Sequence, residues 1–214
     1  TFGDFMINYS YIFHFVTALG MVTLFMFVDF NTISPGANDN LTGTYAAVCA
    51  LRMLDMAGVD FENTEVCAMI TDGEEAGLRG CKSWAKNHYD EYVNSGVETV
   101  VLCVDTLTDR EYLRVYNKDM TGTVKNNQQF SQLVMDASKD AGHDDIELSS
   151  VFFGSSDAAA FSQAGITATC LAAMDPRPAD YYHNRRDTAD RLVPETIKTG
   201  FDVIISTILN FDEK

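Results

Sequence analysis

No lysine or arginine occurs before Arg52. The amino-terminal stretch is therefore expected to be neither a secretory leader with a basic n-region nor an inside-positive anchor. Basic residues are scarce throughout, 15 against 31 acidic ones, for a net charge of −16. That balance argues against nucleic acid and anionic membrane surfaces as partners. It suits metal ions or cationic ligands, although a solvated acidic surface is its commoner cause. Proline is rare, and no internal repeat, low-complexity tract or linker interrupts the chain, so one domain is the simplest count. The five cysteines form no CxxC or Cys/His spacing, which excludes an ordinary structural zinc. Cys49 and Cys81 are expected on helices and Cys67, Cys103 and Cys170 on strands, all as buried free thiols.

What is present begins with an apolar segment, residues 1–28. Tyr11 to Val28 is broken mainly by His14 and Thr17, and seven of the 14 phenylalanines lie within the first 30 residues. About 18 such residues is the lower limit for a membrane span. Three readings compete: a buried strand, a membrane anchor, or a segment foreign to the domain that follows. The strand is preferred, and membrane association is not favoured. Residues 29–214 then alternate between helix and strand patterns. Pro35-Gly36 marks a turn, and a helix capped by Asn40 or Thr42 runs to about Ala57. A strand ends at Ile70 or Thr71, and a helix runs from Leu78 towards Val93. Val100–Val104 reads as a central strand covered on both faces. Strands near Tyr112–Tyr116, Ile146–Phe153 and Ile166–Ala173 alternate with helices at Asn126–Ala141 and after Ser156, and Pro194 opens the last helix. The pattern predicts an α/β fold, a three-layer αβα sandwich around a mostly parallel, mixed sheet.

The chemistry centres on Thr71-Asp72-Gly73-Glu74-Glu75-Ala76-Gly77-Leu78. Two adjacent carboxylates sit where an apolar run gives way to a helix, the edge at which open α/β sheets bind ligands. Two anions near a core are costly unless a cation or a shared proton compensates. Asp39, Asp105 and His183 also sit in loops that follow, or nearly follow, apolar strand-like runs. Alone, each is an ordinary turn, cap or surface residue. Together, Asp39, Glu75, Asp105 and His183 make an oxygen–imidazole set suited to zinc, and Glu74 is left free to carry a proton.

The motifs resemble those of the zinc aminopeptidase family that includes bacterial leucyl aminopeptidases and glutamate-carboxypeptidase-like enzymes. Pro35-Gly36-Ala37-Asn38-Asp39-Asn40-Leu41-Thr42-Gly43 is similar to the metal-bridging loop, and Gly73 to Gly80 to the Glu-Glu motif. Val104-Asp105 falls at the third ligand position. Ser156-Asp157-Ala158-Ala159-Ala160-Phe161 and Tyr182-His183-Asn184-Arg185-Arg186-Asp187-Thr188 match the late signatures. The resemblance implies that Asp39 bridges two zinc ions. Glu75 and His183 complete one site, Asp105 belongs to the other, and Glu74 is the general base. It implies a peptide substrate with a free amino terminus. One departure stands out. Where the family has His-x-Asp, this chain has Phe27-Val28-Asp29. A phenyl ring cannot bind metal, so one tightly held zinc is expected. The alternatives are a single-zinc acyl transferase resembling glutaminyl cyclase, or a non-catalytic binding domain. Glutaminyl cyclases are expected to carry Trp where this chain has Tyr182, which favours the peptidase.

Overall fold

A computed structural model describes residues 2–27, 33–177 and 179–214. The chain divides into two compact units, Thr1–Ser34 and Pro35–Lys214. The first holds one helix, α1 (Phe2–Phe27), which corrects the expected strand. An apolar run does not by itself distinguish strand from helix, and length decides. Over this length a helix satisfies every interior amide internally, whereas a strand needs a partner. The polar side chains fold back onto the helix: Thr23 Oγ1 donates to the Leu19 carbonyl at 2.8 Å and Ser10 Oγ to that of Ile7 at 2.9 Å. The exposed apolar residues of α1 include Phe13, Phe15, Val16, Leu19 and Phe25. By length and composition the helix can cross a membrane. Residues 28–32, Asp29 among them, and the Phe27 side chain lie outside the described residues.

The second unit is built on a five-stranded mixed sheet. Its strands are β1 (Val100–Asp105), β2 (Leu113–Asp119), β3 (Val124–Lys125), β4 (Leu148–Ser150) and β5 (Thr167–Ala173). The order is β1-β5-β2-β3, with β4 also on β2. Pairs β1/β5 and β2/β4 are parallel, whereas β2/β5 and β2/β3 are antiparallel. Around it pack α2 (Gly43–Met56), α3 (Arg79–Tyr92), α4 (Gln128–Asp140), α5 (Asp157–Gln163) and α6 (Pro194–Asp212).

The pleat sorts the side chains into two cores. Leu171 and Ala173 of β5 join Leu113, Val115, Ala46, Ala50, Val134 and Val203, which brings α2, α4 and α6 to one face. Ala168, Cys170 and Ala172 join Cys81, Ala85, Ala159 and Phe161, which brings α3 and α5 to the other. Each fully buried Leu, Val or Phe adds roughly 1.5–3 kcal/mol. The result is a three-layer αβα sandwich. Caps fix the helix starts: the Asn127 side chain accepts from Phe130 N–H and that of Ser156 from Ala158 N–H.

Three expectations need correction. The apolar segment 66–70 pairs with no described strand, so the Glu-Glu pair is reached from an irregular segment. β1 hydrogen-bonds to β5 alone among the described strands and ends the sheet order instead of lying at its centre. All five cysteines are free thiols, but Cys49 and Cys67 are exposed, and Cys67 lies in that irregular segment.

Gly43 shows how closely α2 meets β1. A Cβ there would lie 2.3 Å from the Val104 carbonyl oxygen and 2.6 Å from Asn40 Oδ1. Neither can yield without moving the sheet or the preceding turn. Gly43→Ala is expected to lower unfolding stability by about 3 kcal/mol. The midpoint of denaturant unfolding checks this, and an unchanged midpoint refutes the close approach.

Candidate metal centre

Hydrogen bonds fix the turn at 35–43 and the Glu-Glu segment. Gly36 takes a left-handed φ of 68° and opens an irregular turn, Ala37–Thr42. Asn40 stitches that turn to β1. Its Nδ2 donates to the Val104 carbonyl at 3.0 Å, and its Oδ1 accepts from Thr106 N–H at 3.2 Å and Gly43 N–H at 3.0 Å. Asn40 thus spans both flanks of Asp105. Asn38 does the same deeper in: its Oδ1 accepts from Thr108 N–H, and its Nδ2 donates to the Tyr181 hydroxyl. Tyr181 in turn donates to Asp109. In the Glu-Glu segment the Glu74 carbonyl accepts from Gly77 and Leu78 N–H at 2.9 and 2.8 Å.

These turns bring Asp39, Glu75 and His183 together, with one ligand atom from each lying within 4.8 Å of the others. His183 Nε2 lies 3.1 Å from Asp39 Oδ2 and 2.9 Å from Glu75 Oε1. A single imidazole nitrogen thus faces two carboxylates. Ligands of a tetrahedral zinc at about 2.1 Å stand roughly 3.4 Å apart. The trio fits that spacing after small side-chain movements, and its N/O donor set is one that zinc accepts. The His183 ring stacks on Tyr182, with centroids 3.7 Å apart and planes at 20°.

Asp105 does not belong to the trio. It closes β1, and its Oδ1 is sealed from solvent with no hydrogen-bond partner among the described residues. Burial, and then the charges of Asp39 and Glu74, raise its carboxyl well above the ordinary range. Glu74 is pushed up to about 7, first by burial and then by the charge of Glu75. Burial also raises Glu75, against the pull of His183. The His183 imidazole is raised in turn, chiefly by its hydrogen bond to Asp39. Carboxyls driven towards neutrality, with one orphaned oxygen, mark a place short of positive charge.

Asp187, Asn38 and Asn40 were not among the residues that sequence reasoning singled out for the site. Asp187 is fully buried and accepts from the backbone N–H groups of Asn38 and Asp39. The only sequence signal was their place inside the two matching loops.

Comparison with known proteins identifies the family. The profile of peptidase family M28 matches residues 21–208, and the chain belongs to that family. Aminopeptidase YwaD of Bacillus subtilis (strain 168) is 27% identical over 194 residues, 82% of this chain and 37% of that protein. The solved structure of BSAP, a zinc aminopeptidase from Bacillus subtilis, aligns with a TM-score of 0.65. It is 24% identical over 82% of this chain and 42% of that one. Bacteroides thetaiotaomicron glutaminyl cyclase, solved with N-acetylhistamine, aligns with a TM-score of 0.59. It is 18% identical over 81% of this chain and 62% of that one. The chain thus spans less than two thirds of the length of each.

Proposed function

We propose that this chain is a zinc-dependent aminopeptidase that removes the first residue of peptides. The convergence of Asp39, Glu75 and His183 beside an uncommitted Glu74 carries the reading. Asp39, Glu75 and His183 hold the ion, and the sealed Asp105 oxygen is a further donor towards a second, weaker position. Zinc there supplies Lewis acidity, making water more acidic and a carbonyl more electrophilic. Glu74 takes the proton from the attacking water. It then returns that proton to the departing amine as the peptide bond breaks. Surplus carboxylate charge at the site favours a substrate whose free amino terminus is cationic. Residues 29–214 carry this chemistry, and residues 1–28 are a separate apolar segment. The division of the chain into compact units at Ser34/Pro35 supports a separate amino-terminal segment, though it falls six residues beyond that boundary.

Metal analysis tests the site directly. About one tightly bound zinc per chain is expected, because the sequence resemblance sets Phe27 where the family has a histidine. Two tight ions refute the argument from Phe27. Turnover of aminoacyl-anilides with zinc or cobalt added tests the activity. A second reading, acyl transfer of the glutaminyl cyclase kind, draws on the likeness of fold to that enzyme. Cyclisation of amino-terminal glutamine without anilide hydrolysis favours it, and turnover of neither substrate leaves a binding domain.

A further inference from the structure

Asp187 is a buried acid for which the proposed chemistry has no use, and its side chain is 0% exposed. Its two carboxylate oxygens accept from Asn38 N–H at 2.8 Å and Asp39 N–H at 2.9 Å. Its own backbone carbonyl accepts from Ala37 N–H at 3.2 Å. Three consecutive amides of the Asp39 turn therefore point at one residue. That residue sits four positions after His183, in a loop closed on itself. Asp187 N–H donates to the Asn184 carbonyl at 3.1 Å, and Asn184 N–H to that of Tyr181 at 3.3 Å.

We propose that Asp187 is a positioning residue: its carboxylate clamps the Asp39 turn to the His183 loop and so sets the separation of two metal ligands. The proposal rests on the metal-centre reading given above. A buried carboxylate must be satisfied, and bonds to a charged acceptor are the strong, short ones. Here backbone amides meet the charge, so what the charge orders is main chain. The amide of Asp39 is itself one of the two donors. Rotation of the turn that would swing Asp39 away from His183 has to break that bond. The clamp thus joins ligands that chain connectivity leaves far apart, and it does so through main-chain N–H groups.

Asp187→Asn tests this at almost constant volume. An amide keeps one acceptor oxygen but turns an NH2 towards the second N–H. Zinc affinity is measured by competition with a chromophoric chelator on protein shown to be folded by near-ultraviolet circular dichroism. Wild type, Asp187→Asn, Asp39→Asn and Asp119→Asn are compared. Asp119 is an equally buried acid, held by the N–H and hydroxyl of Ser156, and it controls for general loss of stability. The clamp predicts roughly 10–100-fold weaker zinc binding for Asp187→Asn, the usual effect of removing a residue that orients a ligand. It also predicts an altered cobalt absorption spectrum. Asp119→Asn should bind zinc within about threefold of wild type. If Asp187→Asn does not fold, Asp187→Glu is measured in its place, with weakened binding again expected. It keeps the charge but shifts both oxygens by one methylene. Folded Asp187→Asn with wild-type affinity and cobalt spectrum, alongside a weakened Asp39→Asn, overturns the clamp. Wild-type affinity in Asp39→Asn instead removes the metal centre on which it rests.

Discussion

Glu74→Gln should keep its zinc and lose hydrolysis of aminoacyl-anilides by about 10²–10⁴-fold. Gln preserves the size of the side chain and removes only its ability to take a proton. The fold should not notice. The turn at Glu74 is held by its backbone carbonyl, which accepts from Gly77 and Leu78 N–H. Metal content should not change either, because Glu74 lies outside the Asp39, Glu75 and His183 trio. Zinc per chain and turnover number, measured on one preparation, separate the two properties. Hydrolysis at the wild-type rate would end the assignment of Glu74 as base. Loss of zinc would show that Glu74 binds the metal as well.

His183→Ala should abolish tight zinc binding. The imidazole is the one nitrogen donor of the trio, and both close contacts in it, to Asp39 and to Glu75, are made by its Nε2. Removing a ligand should cost more than the roughly 10–100-fold that follows loss of an orienting neighbour. The metal-free fold should tolerate the change, since the His183 side chain is 45% exposed. Added zinc stabilises whatever folded state binds it. Thermal unfolding with and without zinc therefore gives the readout: a rise in midpoint for wild type and none for His183→Ala. An equal rise in both would mean that the metal sits elsewhere.

The elements that were legible in the sequence are those whose periodicity matches their burial. α4 presents Phe130 and Val134 to the core, and α6 presents Val203 and Ile204. β5 alternates between the two cores and was equally plain. The Asp39, Glu75 and His183 grouping was also readable, because several motifs occurred in order. α1 was not, since an apolar run without polar alternation carries no period. Nor was the status of residues 66–70, because strand pairing is decided by neighbours that a local pattern does not record. Asp187 escaped notice for a different reason. It acts through backbone amides, and its partners Asn38 and Asp39 lie at the other end of the chain.

β1 has a second consequence beyond ending in Asp105. Its sequence, Val100-Val101-Leu102-Cys103-Val104-Asp105, suits an interior position, yet only β5 uses its ladder among the described strands. Asn40 covers the end of the other margin at Val104 and Thr106, but no described strand pairs along the rest of it, and such a border is one along which extended segments from other molecules add. Concentrated solutions of this chain should therefore tend to assemble edge to edge, and a charged residue introduced along that margin is the natural way to keep it dispersed.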